Sequence, residues 1–251
     1  MASLRKPFQG VTNILRFNWH FYILSAALIL ALYILSLVFN TYKLQLSILG
    51  VSVILASVAS IASSYFIYDL SDLYRFEWLP VNGTDKNLVN ISAGFDEISD
   101  ILIEKYPGAK LSVLEFYDPM RHREASIKRA RKAYPRYPGT KKVETCSFPL
   151  KTDIADKVFV MLSAHEIRSP MERINFFKEI RRVMKHDGQL IVIEHLRNTV
   201  NFFAFNIGFF HFYSRTTWLD VFGQTDLLIR EEIKITPFIT AFILEKHGNS
   251  L

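Results

Sequence analysis

DIADKVFVMLSAHEIRSPMERINFFKEIRRVMKHDGQLIVIEHLRN, from Asp153 to Asn198, contains two short apolar runs separated by an amphipathic one. VFVML (Val158–Leu162) and QLIVIE (Gln189–Glu194) have the length of strands and no alternating wet face, so both read as strands covered on two sides. Pro170 to Lys185 between them is an amphipathic helix opening on proline. Lys185 and His186 sit where a helix C-terminus favours positive charge, and Gly188 can take the left-handed turn conformation before the second strand. Strand, helix and strand in this order make a parallel crossover unit.

The same alternation extends in both directions. Upstream, LVNIS (Leu88–Ser92) is a strand leading into Ala93-Gly94 and a helix from about Asp96 to Lys105. Pro107-Gly108 turns the chain into LSVLEFY (Leu111–Tyr117), then a basic helix over Arg123–Ala133 and a short strand over Lys142–Ser147. Downstream, Thr216–Phe222 reads as helix, and Leu227–Ile235 with Phe238–Glu245 as two strands pairing around Pro237. Strands spaced by helices argue an α/β fold with a largely parallel sheet, and the final pair breaks the pattern.

The first 68 residues have a different chemistry. Phe21–Phe39 and Leu44–Tyr68 are free of charge, and each covers most or all of a roughly 30 Å hydrocarbon core at about 1.5 Å per residue. Only Asn40, Thr41, Tyr42 and Lys43 separate them, so a tight hairpin is expected, with the small residues Ser52, Ala56, Ser60 and Ser64 facing the first helix. A cleaved signal peptide is the competing reading of the first run, but that run exceeds a signal core and a second follows at once. Arg5, Lys6 and Arg16 before the first helix, against Lys43 alone in the loop, put the N-terminus inside. The expected organisation is a cytoplasmic segment (1–20), a transmembrane hairpin (21–68), a juxtamembrane linker (69–86) closed by Pro80 and Asn82-Gly83, and a cytoplasmic domain (87–251).

Charge follows this division. Four basic residues and no acidic ones precede Asp69, leaving 26 of the 30 Lys+Arg against 24 Asp+Glu behind it. The pI near 9.3 therefore gives little support to a nucleic-acid partner. Nine Lys/Arg between Arg121 and Lys142, opposed by Glu124 alone, suit an anionic lipid surface or simply a solvated helix face. The single Cys146 excludes an intramolecular disulfide and a multi-cysteine zinc site, and no metal site is expected.

The order of five strand-helix units and a terminal strand pair resembles class I S-adenosylmethionine-dependent methyltransferases. Arg182-Val183-Met184-Lys185-His186-Asp187-Gly188 occupies the place of that family's Arg-x-Leu-Lys-Pro-Gly-Gly. The resemblance implies a Rossmann-like, doubly wound, mostly parallel seven-stranded sheet with an antiparallel last strand. It implies S-adenosyl-L-methionine as cofactor, held by the turn Ser92, Ala93 and Gly94 in place of a Gly-x-Gly-x-Gly run. Glu115 would take the ribose hydroxyls, Phe116 and Tyr117 would pack on adenine, and Ser147 and Phe148 would border that ring near Cys146. Ser163 lies past the fourth strand. His165, Glu166 and His195, at the strand ends where ligands of open sheets bind, are the candidate acid-base groups, with a structural hydrogen bond as the alternative for each.

NFFAFNIGFFHFYS (Asn201–Ser214), with seven aromatic residues, follows the fifth strand, where that fold often covers its acceptor. It reads as a lid, a pocket wall, an interfacial element or plain core. The expected function is a membrane-anchored methyltransferase acting on a hydrophobic or lipid-like small molecule, with no nucleic-acid partner. The rival is a membrane scaffold that keeps the fold and has lost activity.

Overall fold

A computed structural model describes residues 5–81, 83–122 and 124–248. Asn82 of the expected turn and Arg123 at the expected start of the basic helix lie outside them. Two long helices, α1 (Gln9–Val38) and α2 (Lys43–Tyr65), come first, and α2 runs on through a wide π turn at Phe66–Leu70. Then follow β1 (Asn87–Ser92), α3 (Ser99–Lys105), β2 (Lys110–Glu115), α4 (Ala125–Ala133), β3 (Lys141–Lys142) and β4 (Ala155–Met161). The chain ends with α5 (Pro170–Val183), β5 (Met184–His195), α6 (Thr199–Phe205), α7 (Arg215–Gln224), β6 (Leu227–Thr236) and β7 (Ile239–Lys246).

The strands form one sheet in the order β3-β2-β1-β4-β5-β7-β6. β1 to β5 pair in parallel, and β7 runs antiparallel to both β5 and β6, as the resemblance implies. Alternate side chains explain the unbroken apolar runs. Val158 and Val160 face Phe176, Ile180, Trp218 and Phe222 of α5 and α7, while Phe159 faces the opposite layer with Ile191 and Ile193. That second layer includes Leu102 and Tyr106 around α3, and also Leu73, Phe76 and Leu79. Residues 69–86, expected as a linker, thus supply part of the sheet's cover.

The hairpin is joined to this layer at one corner. α1 begins at Gln9, well before the apolar run at Phe21, and its backbone leaves helical geometry at Asn18 (φ −116°, ψ 18°). Its first part buries Gly10, Asn13 and Phe17 against the domain. The Asp69 carboxylate accepts from the Gly10 and Val11 amides at 2.8 and 2.7 Å, and Tyr134 Oη donates to Asn13 Oδ1. Gly10 is required there, since a Cβ would stand 2.3 Å from Tyr68 Cβ. Beyond Asn18 almost nothing is buried, and both helices are long and apolar enough to cross a membrane. Of the small-residue stripe, Ser64 is buried and Ser60 meets Tyr22 of α1, whereas Ser52 is exposed and Ala56 faces the segment after α6.

Three local expectations are corrected. α5 stops at Val183, and Met184–Asp187 already run in extended structure. Gly188 is not in the left-handed region; a Cβ on it would lie 2.7 Å from the Ala155 carbonyl oxygen, where the register between β4 and β5 shifts. Close approach, and not a turn, requires glycine there. The strand expected over Lys142–Ser147 shrinks to Lys141–Lys142, with an isolated bridge between Glu144 and Ser147.

Gly188→Ala is therefore expected to cost about 1–3 kcal/mol through forced backbone displacement. Gly223→Ala, in α7 with nothing within 4 Å, should be neutral or stabilise by up to about 1 kcal/mol. Denaturant unfolding of the detergent-solubilised protein checks both.

Candidate active site

The parallel strands end together at one edge. Ser92 of β1 pairs with Glu115 of β2, and β4 and β5 finish beside them at Met161 and His195. The strand order reverses between β1 and β4, so this edge holds the crevice in which doubly wound sheets bind ligands.

Two adjoining cavities occupy it. One, of about 140 Å³, is lined by Ser92, Gly94, Phe95, Asp96, Glu115, Arg131 and Tyr134–Tyr137. The other, of about 80 Å³, is lined by Asn90–Ala93, Phe95–Ile98, Met161–Ser163 and Glu166. Ser92, Ala93, Gly94, Glu115, Ser163 and Glu166 are thus brought to one crevice. Gly94 adopts φ +114°, a conformation open to glycine, and its carbonyl accepts from Arg131 Nη1 at 3.3 Å. Asp96 is spent locally, accepting from the Ile98 and Ser99 amides, Ser99 Oγ and Asn90 Nδ2, which shapes the turn into α3. Ser163 Oγ donates to the Ile91 carbonyl.

Glu115 is 2% exposed and faces two guanidinium groups. Arg131 Nη1 donates to its Oε2 at 2.6 Å; Arg136 Nη2 stands 3.0 Å from Oε1 without hydrogen-bond alignment, leaving Oε1 unsatisfied. Arg131 also lies over the Tyr117 ring at 4.2 Å. A buried carboxylate with a spare acceptor, a glycine turn and an aromatic face suit a nucleoside. The Arg131 guanidinium lies between them, against the Glu115 carboxylate, the Gly94 carbonyl and the Tyr117 ring.

Other expected positions lie elsewhere. Phe116 points into the core against Phe176 at 5.3 Å, because side chains alternate along the chain and Tyr117 is the one turned toward Gly94 and Arg131, behind the cavity wall. Phe148 is also core, Ser147 and Cys146 are exposed, and none of the three lines either cavity. Much of the basic cluster is engaged: Arg131 and Arg136 with Glu115, Arg121 with Glu172, and Arg129 with the Phe17 carbonyl at 2.5 Å.

His165 and Glu166 meet in a buried polar cluster beside the second cavity. His165 Nδ1 donates to Glu194 Oε2 at 2.6 Å, and its Nε2 stands 3.5 Å from Glu166 Oε1. The same Oε1 lies 3.2 Å from His211 Nε2, while His211 Nδ1 is 2.6 Å from Glu124 Oε1. The Arg168 guanidinium contacts the His211 ring, and its Nη1 donates to the His211 carbonyl at 2.8 Å. Burial alone would push the His165 imidazole down, but the Glu194 and Glu166 carboxylates outweigh it and raise its pKa to about 10. Burial would raise Glu166, yet its hydrogen bonds from His165 and His211 hold it far below the carboxylate range. Glu124 and His211 carried no sequence signal for this role, one lying in a basic stretch and the other in an aromatic one.

His195 stands apart. Its Nδ1 faces the Phe238 carbonyl at 3.1 Å and must carry the proton, so Nε2 accepts from Tyr68 Oη at 2.8 Å. Its ring stacks on Phe212 at 4.7 Å. Burial, aided by charged His165, pushes it down to about 3.

No protein-family model and no curated protein sequence matches the chain. Solved structures do resemble it. A SAM-dependent methyltransferase from Aquifex aeolicus superposes with a TM-score of 0.53 at 15% identity, over 75% of this chain and 97% of that one. An O-methyltransferase family 2 protein from Planctomyces limnophilus, in complex with apigenin, gives 0.52 at 14% identity, over 76% of this chain and 60% of that one. The chain has the methyltransferase fold.

A His195 that stays neutral when folded contributes stability above its unfolded value of 6.5, and loses it as pH falls toward 3. The stability advantage of the native protein over His195→Gln should therefore narrow by up to about 1.4 kcal/mol per pH unit in that window, measured by denaturant unfolding across the acid range.

Proposed function

We propose that the protein is a membrane-anchored S-adenosylmethionine-dependent methyltransferase whose acceptor is a hydrophobic or lipid-like molecule arriving from the bilayer. One observation carries this reading: a single aromatic segment links the spanning hairpin to the polar cluster at the crevice. Asn206 Nδ2 donates to the Ala56 carbonyl of α2 at 3.3 Å. Ala56 precedes Tyr65 by nine residues, about 14 Å along the helix. Phe203, Ile207 and Phe210 of that segment are largely exposed, while His211 and Phe212 reach His165, at ring distances of 5.0 and 6.2 Å. An apolar face at that depth would stand within the hydrocarbon layer that the hairpin crosses.

When bound, the cofactor supplies an electrophilic methyl group on a sulfonium. Glu115 would hold the ribose hydroxyls through its spare oxygen, Gly94 would let the backbone approach, and Tyr117 would pack on the base. Ser92, Ala93 and Ser163 would line the methionine end. His165 and Glu166 would meet the acceptor; flanked by carboxylates, His165 keeps its proton near neutral pH and serves there as a charged donor. His195 would position the segment around Phe212. Anchoring concentrates enzyme and acceptor in one plane. The exposed Lys128 and Lys132 of α4, beside the docked part of α1, would favour the cytoplasmic, anionic leaflet.

A second reading, a membrane scaffold without activity, is favoured by the Arg131 side chain standing in the nucleoside position. The two separate on binding. Calorimetry on the purified protein should detect S-adenosylmethionine, Glu115→Ala should weaken it at least about tenfold, and Arg131→Ala should retain or improve it. No binding by either native protein or Arg131→Ala at millimolar cofactor would establish the scaffold. With binding in hand, cells fed methyl-labelled methionine should place label in a lipid-extract component that the Glu115→Ala strain lacks.

A further inference from the structure

We propose that His165, Glu166 and His211 form a binding site for a divalent transition-metal ion of the zinc class. Their donor atoms all lie within 4.8 Å of one another. One oxygen, Glu166 Oε1, stands 3.5 Å from His165 Nε2 and 3.2 Å from His211 Nε2. Donors held about 2.1 Å from a tetrahedral ion are about 3.4 Å apart, so two edges of the polyhedron are already drawn.

The outer contacts have the form that metal-binding imidazoles use. Each histidine presents Nε2 to Glu166 and has Nδ1 against a second carboxylate, Glu194 for His165 and Glu124 for His211, both at 2.6 Å. Such carboxylate contacts fix the tautomer that leaves Nε2 free to ligate, and they increase its basicity. Charge is matched as well. With the extra proton of His165 displaced by the incoming ion, Glu124, Glu166 and Glu194 with the Arg168 guanidinium and two neutral imidazoles carry two net negative charges, which a divalent ion neutralises. Two nitrogens and one oxygen select zinc, cobalt or iron over magnesium or calcium.

Position gives the ion a use. Glu166 also lines the smaller cavity, so the cluster forms part of its wall. Three protein ligands leave a coordination position for water or a substrate oxygen. An acceptor hydroxyl there would be polarised without a general base, and that last point alone rests on the methyl-transfer reading. Arg168, whose side chain is 45% exposed, is the competing cation and must yield its contact with the His211 ring.

The full-length protein in detergent, stripped with a chelator, is titrated with Zn²⁺ against a chromophoric competitor and with Co²⁺ while its visible spectrum is followed. One equivalent bound on the order of micromolar or tighter is expected, with Co²⁺ bands of a low-coordinate site. Glu166→Gln and His211→Ala should each weaken binding at least about tenfold. So should Glu124→Gln, which leaves all three ligands in place; His247→Ala should change nothing. Circular dichroism verifies folding, and Glu124→Gln carries the test if His211→Ala unfolds. The site is refuted if the native protein binds zinc no better than His165→Ala/His211→Ala, or if Glu124→Gln and Glu166→Gln both bind as the native protein does. S-adenosylmethionine titration is run separately: cofactor binding without zinc binding sinks the metal site alone, and zinc binding without cofactor binding supports it while sinking the methyltransferase.

Discussion

Two adjacent side chains, Tyr68 and Asp69, hold the hairpin to the sheet. Asp69 accepts the first free amides of α1, whose N-cap residue, Phe8, has no acceptor on its side chain. Negative charge is also favoured at that helix end. Tyr68 packs on Gly10 and donates to His195 at the end of β5. A helix pair with almost no buried surface of its own thereby acquires a defined position on the domain.

The crevice inherits its shape from that junction. Once α1 is fixed by Asp69, its first part lies along α4, where Phe17 meets Phe95 and Tyr134 at 5.7 and 6.3 Å. Arg129 ties α4 to the Phe17 carbonyl, and two residues later Arg131 reaches Glu115. The first part of α1, the basic helix α4 and the Glu115 carboxylate therefore form one packed series. On the other side, Phe205 and Phe212 pack on His195 at 4.8 and 4.7 Å and carry His211 to Glu166. Both halves of the crevice depend on segments that also touch the hairpin.

Legibility in the sequence tracked how local each determinant is. The β4-α5-β5 unit was readable because apolar runs and helical period report burial directly. A helix followed by glycine has a common local solution, the left-handed turn, whereas the demand at Gly188 comes from the Ala155 carbonyl across the sheet. Phe116 and Tyr117 illustrate a matter of register: adjacent side chains just past the end of β2 point to opposite faces, and which of the two turns toward Arg131 depends on where β2 ends. The resemblance singles out Glu115 at the end of the second strand, but not its two arginine neighbours, since Arg136 and Arg131 lie in a stretch whose charge alone suggests lipid or solvent.

Composition and periodicity by themselves determined that an uncharged hairpin precedes an α/β domain with a parallel sheet, because the energetics of burying apolar side chains acts residue by residue along the chain. Tertiary structure decided everything that required two distant residues to share a partner: that His195 holds Tyr68 in place of facing the crevice, that Arg131 rests on Glu115, and that Glu124 and His211 join His165 and Glu166. Hydrogen bonds and ion pairs are short-ranged and directional, and their partners here are separated by up to 150 positions in sequence. No window of the chain contains them.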